Sequence, residues 1–179
     1  MFTSLLPYAL MFSRIVTALV FALSGMGKLR DLSAFERAVA NFRILPQGIV
    51  KVTASLFVAG ELIVVVLMFL EGGFLLSGFL LAMFLLLLFS IALLSVLARK
   101  LQTSCNCFGP STKPMSHYDV LRNVGLMVCA FIGWFALSTF PDGQAGLKVA
   151  EVVLLGPIAI TCSVLWIKIG DLVELFHAS

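Results

Sequence analysis

Two thiols stand one residue apart in Cys105-Asn106-Cys107-Phe108-Gly109-Pro110, the one polar, cysteine-bearing island in an otherwise apolar chain. Cysteines at i and i+2 can close only a very small disulfide ring, which is hard to reconcile with relaxed backbone, and a strained disulfide is an easily reduced one. The spacing therefore suits exchange with a partner thiol better than permanent cross-linking. Arg99, Lys100 and Lys113 lie close in sequence and favour the thiolate, while Gly109-Pro110 sets a turn that can present the pair. A metal reading uses the same side chains. Cys105 and Cys107 with Met115 and His117 offer soft ligands for Cu(I), or, without Met115, part of a zinc site, although the spacing is not that of a zinc finger. A reduced pair of mainly structural use is the third reading.

The other chemically conspicuous residues are those that apolar segments do not ordinarily carry. Arg14, Glu61 and Glu151 each fall inside a hydrophobic run. A charge inside hydrocarbon costs a few kcal/mol on insertion scales, so each should be paired, neutral or turned to a wet cavity. Counted at about 1.5 Å per residue, Arg14, Glu61 and Glu151 lie roughly 9, 13 and 7 Å below the outer ends of their spans. One layer could hold all three, so an Arg14–Glu61 ion pair, shared with Glu151, is expected as a structural feature. Cys129 and Cys162, roughly 18 and 24 Å deep by the same count, read as small buried hydrophobes rather than as a second redox pair.

The elements that must carry these residues are membrane helices. Of 179 residues, 61% are hydrophobic and 12% charged, and the mean hydropathy is +1.12, which excludes an ordinary soluble domain. Runs of about 20 apolar residues are long enough to cross the bilayer. The pattern predicts an all-α transmembrane bundle forming a single integral membrane domain over 1–179, with spans near 8–27, 49–70, 74–98, 119–140 and 147–169 and the cysteine loop at 99–118. The first apolar segment lacks a basic leader and continues past any plausible cleavage site, so it reads as a retained helix. After it, Ser33 and Glu36 stand at capping-box spacing, with Phe35, Val39 and Phe42 on one side and Arg37 and Arg43 free to face outward. This predicts a short interfacial helix ending at Pro46. Glu71-Gly72-Gly73 and Pro141-Asp142-Gly143 are turns, and Pro157 is a kink site in the last span.

A net charge of +3 would point to nucleic-acid binding in a soluble protein, but here topology explains it. Ten of the twelve basic residues (Lys28, Arg30, Arg37, Arg43, Lys51, Arg99, Lys100, Lys113, Arg122 and Lys168) fall on the face that holds the cysteine loop and the C-terminus, and Lys148 flanks the other. The positive-inside rule then puts the N-terminus outside and the cysteine loop in the cytoplasm.

The stretch Phe21-Ala-Leu-Ser-Gly-Met-Gly-Lys28-Leu, the segment from Phe35 to Leu45-Pro46, Gly60-Glu61, Cys105-Asn-Cys107-Phe108-Gly109 and Leu121-Arg122-Asn123 together resemble the methylamine utilisation protein MauE family, a relative of DoxX-like membrane proteins. The similarity runs from roughly residue 8 to 169, and the Cys-x-Cys-Phe-Gly string followed by Arg-Asn is its most specific part. The resemblance implies a bacterial inner-membrane protein that forms or manages disulfides beside a thioredoxin-like partner, during maturation of a periplasmic methylamine dehydrogenase. The family's cysteine pair maps onto Cys105 and Cys107. A quinone acceptor follows by analogy with other membrane disulfide enzymes. Periplasmic work conflicts with a cytoplasmic loop, so either the charge rule fails here or the loop meets a cytoplasmic partner. Two other classes stay open: a non-catalytic membrane subunit that anchors or assembles a complex, and a Cu(I)-handling protein.

Overall fold

A computed structural model describes residues 2–100, 116–139 and 149–168. Among them the chain is helical: α1 (Phe2–Arg30), α2 (Leu32–Asn41), α3 (Gln47–Phe69), α4 (Gly73–Ala98), α5 (His117–Thr139) and α6 (Val149–Ile167). Four of these, over 5–30, 47–69, 73–98 and 117–139, are long and apolar enough to cross a bilayer, and α6 adds the apolar stretch Val153–Ile167. The result is a multi-pass bundle of about five spans with a short helix after the first, in agreement with the hydropathy reading.

Each long helix buries one stripe at three- and four-residue spacing. On α1 it runs Leu10, Ser13, Thr17, Val20, Phe21, Ser24 and Lys28; on α3 it runs Val50, Ala54, Val58, Glu61, Val64 and Met68. The opposite faces carry exposed Leu, Ile, Val and Phe, such as Leu56, Phe84 and Phe131. This is the inverse of a soluble amphipathic helix and is stable only where hydrocarbon is the solvent. The stripes close a ring in which α1 packs on α3, α3 on α4, α4 on α5 and α5 on α1, with α6 laid against the outer flank of α1. The ring is tightest at Gly133 of α5, where a Cβ would stand 2.5 Å from the Phe79 ring of α4 and 2.8 Å from Ser13 Cβ of α1.

Local signals set the helix ends. Asp31, rather than Ser33, caps α2: its Oδ1 accepts from the Ala34 backbone N–H at 2.9 Å and from Ser33 Oγ at 2.8 Å. The apolar side of α2 lies against α3, with Phe35 packed on Ala54 and Val58, and the chain beyond it reaches the end of α4, where Arg99 Nη1 donates to the Arg43 carbonyl at 3.2 Å. Thus α2 follows the N-terminal half of α3. Gly72, at φ 64°, provides the left-handed residue that turns the chain from α3 into α4. A capping box opens α5: Ser116 Oγ accepts from the Tyr118 N–H at 3.1 Å, and the Ser116 N–H donates to Asp119 Oδ2 at 3.0 Å.

The expected Arg14–Glu61 pair does not form. Arg14 Nε donates to the Met68 carbonyl and its Nη2 to the Leu70 carbonyl at 3.3 Å, so the guanidinium serves the open C-terminal end of α3. Glu61 is paired with Lys28 instead. The N-terminal end of α1 and the C-terminal end of α3 are not level, because α1 begins at Phe2 and Arg14 already lies beside the last turn of α3. Counting depth from assumed common ends therefore joined the wrong partners. The side chain of Glu151 lies outside the described residues.

Candidate functional site

Buried Lys28, Glu61, Arg122 and Asn123 gather at one end of the ring, where α1 stops and α5 starts. Lys28 occupies the last turn of α1 and is 2% exposed. Its Nζ donates to Glu61 Oε1 on α3 and to Ser24 Oγ at 3.0 Å, and Ser24 Oγ donates in turn to Glu61 Oε1 at 3.0 Å. The ammonium also lies over two rings, 4.9 Å from the centroid of Phe35 and 5.4 Å from that of Phe89, where ring quadrupoles replace part of its lost hydration. A charge of either sign alone would be intolerable at this depth. Together the two offset one another, and Ser24 and the aromatic faces supply the remaining partners.

From α5 come Arg122 and Asn123, 7% and 4% exposed. Arg122 Nη1 stands 3.3 Å from Asp119 Oδ1, one turn earlier, so Asp119 both caps the helix and neutralises the guanidinium. The Arg122 carbonyl accepts from Trp166 Nε1 of α6 at 3.1 Å, which fastens α6 to the same end of α5.

All four ring helices contribute to a cavity of about 40 Å³ at this point. Ser24, Lys28, Glu61, Arg122 and Asn123 form its polar wall, and Phe21, Phe57, Phe89 and Leu126 are among its apolar ones. Glu61 Oε2 and Asn123 Nδ2 are buried there without a hydrogen-bond partner among the described residues. The wall thus combines two cations, a carboxylate and an amide inside a hydrophobic shell, where a polar group left without a partner is costly.

The sequence-derived site divides between described and undescribed parts. Cys105, Cys107 and Met115 lie outside the described residues. His117 opens α5 and is exposed. Among the described residues no group of three or more His, Cys, Asp and Glu is placed to hold a metal. Cys129 is a half-buried free thiol hydrogen-bonded to Ser13, and Cys162 is an exposed free thiol on α6. Sequence reasoning singled out Glu61 but missed Lys28, Ser24 and Asn123 as its company. A signal was available: Phe21, Ser24 and Lys28 share one helical stripe, and stretches quoted above for their resemblance, Gly-Lys28, Gly60-Glu61 and Arg122-Asn123, are those that meet at the cavity.

Comparison with known proteins gives a consistent result. The family model described as methylamine utilisation protein MauE matches residues 6–136, which takes in α1 to most of α5. A methylamine utilization protein MauE from Paracoccus denitrificans is 35% identical over 155 residues, covering 83% of each chain. No solved structure matches.

Proposed function

The chain belongs to the methylamine utilisation protein MauE family, and from that premise we propose that it is a membrane thiol–disulfide redox protein serving methylamine utilisation. It exchanges electrons through Cys105 and Cys107 with a thioredoxin-like partner during maturation of a periplasmic, methylamine dehydrogenase-like enzyme. The observation that carries this reading is the Cys-x-Cys pair in the polar segment that joins two membrane helices, α4 and α5. In the exchange a thiolate of the pair attacks the partner's disulfide, forming an inter-chain S–S bond and releasing one partner thiolate. The second cysteine then attacks the mixed disulfide, releases the other, and the pair is left oxidised and the partner reduced. The reverse order oxidises the partner. Two electrons and two protons pass between the pairs, and no further reactant is needed.

The protein is proposed to reside in the bacterial inner membrane, with its N-terminus outside and the cysteine segment cytoplasmic, so that the thioredoxin-like partner it meets is a cytoplasmic one and the periplasmic enzyme is served indirectly. Support comes from the basic residues clustered at that end, such as Arg43, Arg99 and Lys100. Thiol trapping in intact cells with membrane-permeant and impermeant reagents, read by mass spectrometry, tests both statements. Cys105 and Cys107 should appear in two oxidation states. Cys105→Ser or Cys107→Ser should accumulate a mixed disulfide with the partner, and only the permeant reagent should reach the wild-type pair. A pair that never changes state, with partner disulfides intact in both variants, would favour a non-catalytic assembly subunit. Stoichiometric copper lost in the same variants would favour Cu(I) handling.

A further inference from the structure

We propose that the end of the bundle where α2 and α4 stop binds an anionic phospholipid, with Arg43, Arg99 and Lys100 meeting its phosphate and the apolar flanks of α3 and α4 meeting its acyl chains. Such a site would stand whether or not the cysteine pair exchanges thiols, and on either side of the membrane.

Among the described residues, two that are not glycine have left-handed backbone: Arg43 at φ 50° and Lys100 at φ 52°. Each is the residue just past a helix, after Phe42 at the end of α2 and after Arg99 at the end of α4. Helices commonly finish on such a residue, and glycine fills the place best because a side chain there crowds the backbone. A cation near a helix C-terminus does complement the dipole. It can do so from the last helical turn without that cost, as Lys28 and Arg30 do in α1, yet the last turns of α2 and α4 hold no basic residue. Placing the charge one step further, on the strained residue, calls for another use. Backbone of this kind in residues other than glycine gathers at functional sites, ligand clamps among them.

The two helix ends lie together. Arg99 Nη1 donates to the Arg43 carbonyl at 3.2 Å, which sets Arg99 and Lys100 beside Arg43, and all three are exposed. Lys51, near the start of α3, is exposed at the same end. Nothing offsets these charges. The chain has no Asp or Glu between Glu36 and Glu61 or between Glu71 and Asp119, and none of the four cations makes an ion pair with a described residue. Glu36 stands about 10 Å from Arg43 along α2, and Glu61 is buried against Lys28.

An anion with an apolar body fits this place better than a free one. Ile44 and Ile49, beside Arg43 and Lys51, are 42% and 47% exposed. Val52 and Leu56 continue the exposed apolar surface along α3, and Ile91 and Leu94 do so along α4 toward Arg99. Phosphate oxygens accept from guanidinium and ammonium donors, while acyl chains cover apolar helix faces. A phospholipid such as phosphatidylglycerol satisfies both at once; free phosphate or an acidic protein surface would meet the charges alone.

Native mass spectrometry of the full-length protein, released from detergent with added lipid, tests the site. The probes are phosphatidylglycerol and phosphatidylcholine, whose phosphate is already neutralised by its own ammonium. Each basic residue near an anionic membrane surface contributes about fivefold in affinity, so the wild type should hold phosphatidylglycerol about twentyfold more tightly. Arg43→Gly/Lys100→Gly should bring the two lipids within about threefold of each other. The Arg99 bond is made to the main chain and stays, and glycine relieves the backbone, so the thermal midpoint in detergent should hold or rise. If that variant does not fold, Arg43→Asn/Lys100→Asn takes its place, since asparagine also tolerates left-handed backbone. Lys168→Gln removes an exposed cation just past α6 and should leave the preference intact. Equal affinity for the two lipids in the wild type would overturn the site, and so would an equal loss in Lys168→Gln, which would mean net charge alone. A preference that survives in the folded glycine variant would leave these cations to an acidic protein and overturn the lipid. Displacement of phosphatidylglycerol by inorganic phosphate at equal concentration would overturn it as well, because the anion rather than the amphiphile would then be what is read.

Discussion

Lys28 and Glu61 are each tolerable in the bundle only because of the other, and this makes them a test of how buried charge is held in this family. Lys28→Met leaves the Glu61 carboxylate among Phe57, Leu85 and Phe89 without its cation. Removing one member of a buried pair typically costs about 3–5 kcal/mol. The single variant should accordingly show a large drop in thermal midpoint and folded yield in detergent. Lys28→Met/Glu61→Met, which replaces both charges with apolar groups, should recover most of the loss, giving a strongly non-additive double-mutant cycle. An additive cycle would mean that the two side chains do not act as a pair. Arg14 belongs to a different category. Its guanidinium meets main-chain carbonyls at the end of α3, so its role is to finish a helix rather than to balance a carboxylate in the cavity.

At the scale of the helices, close approach and capping decide the packing. Gly133 admits the Phe79 ring and Ser13 at distances no Cβ could share. Gly133→Ala should therefore force α5 away from α4 and α1 and lower stability by about 1–3 kcal/mol. Gly60→Ala would meet only the mobile end of Leu85 at 3.2 Å and should cost less, so a thermal-melt comparison of the two checks where the ring is tight. For α2, the carboxyl of Asp31 is held below its ordinary value of 3.8 by the hydrogen bond from the Ala34 N–H and then by that from Ser33. Because the folded value is the lower one, the cap contributes fully above the unfolded value and is lost as pH falls through the folded one. Amide exchange in the first turn of α2 should quicken across that acidic window in the wild type and stay unchanged with pH, after correction for intrinsic rates, in Asp31→Asn.

Seen as a whole, the molecule shows which parts of such a protein are written plainly in its chain. Spans were legible because run length and hydropathy are local and the bilayer sets the length required. The α2 helix was legible from its pattern, although the capping residue was misplaced by two positions, since Asp31 and Ser33 are both good caps and only the backbone decides between them. The pairing of charges was not legible. It depends on the relative depth of α1 and α3 and on how each helix is rotated, quantities that the helix contacts set jointly. Lys28 looked like one more basic residue at a helix end, and its burial comes from α2 and α4, whose Phe35 and Phe89 cover it.

The break at Asp31 has a bearing on the membrane itself. Since Phe35 packs at Ala54 and Val58 and Arg43 meets Arg99, α2 continues along the N-terminal half of α3 from where α1 ends. Asp31, Ser33 and Arg37 are exposed along it, and hydrocarbon is a poor solvent for them. Water or lipid headgroups must therefore reach these three side chains on the outward face of α2.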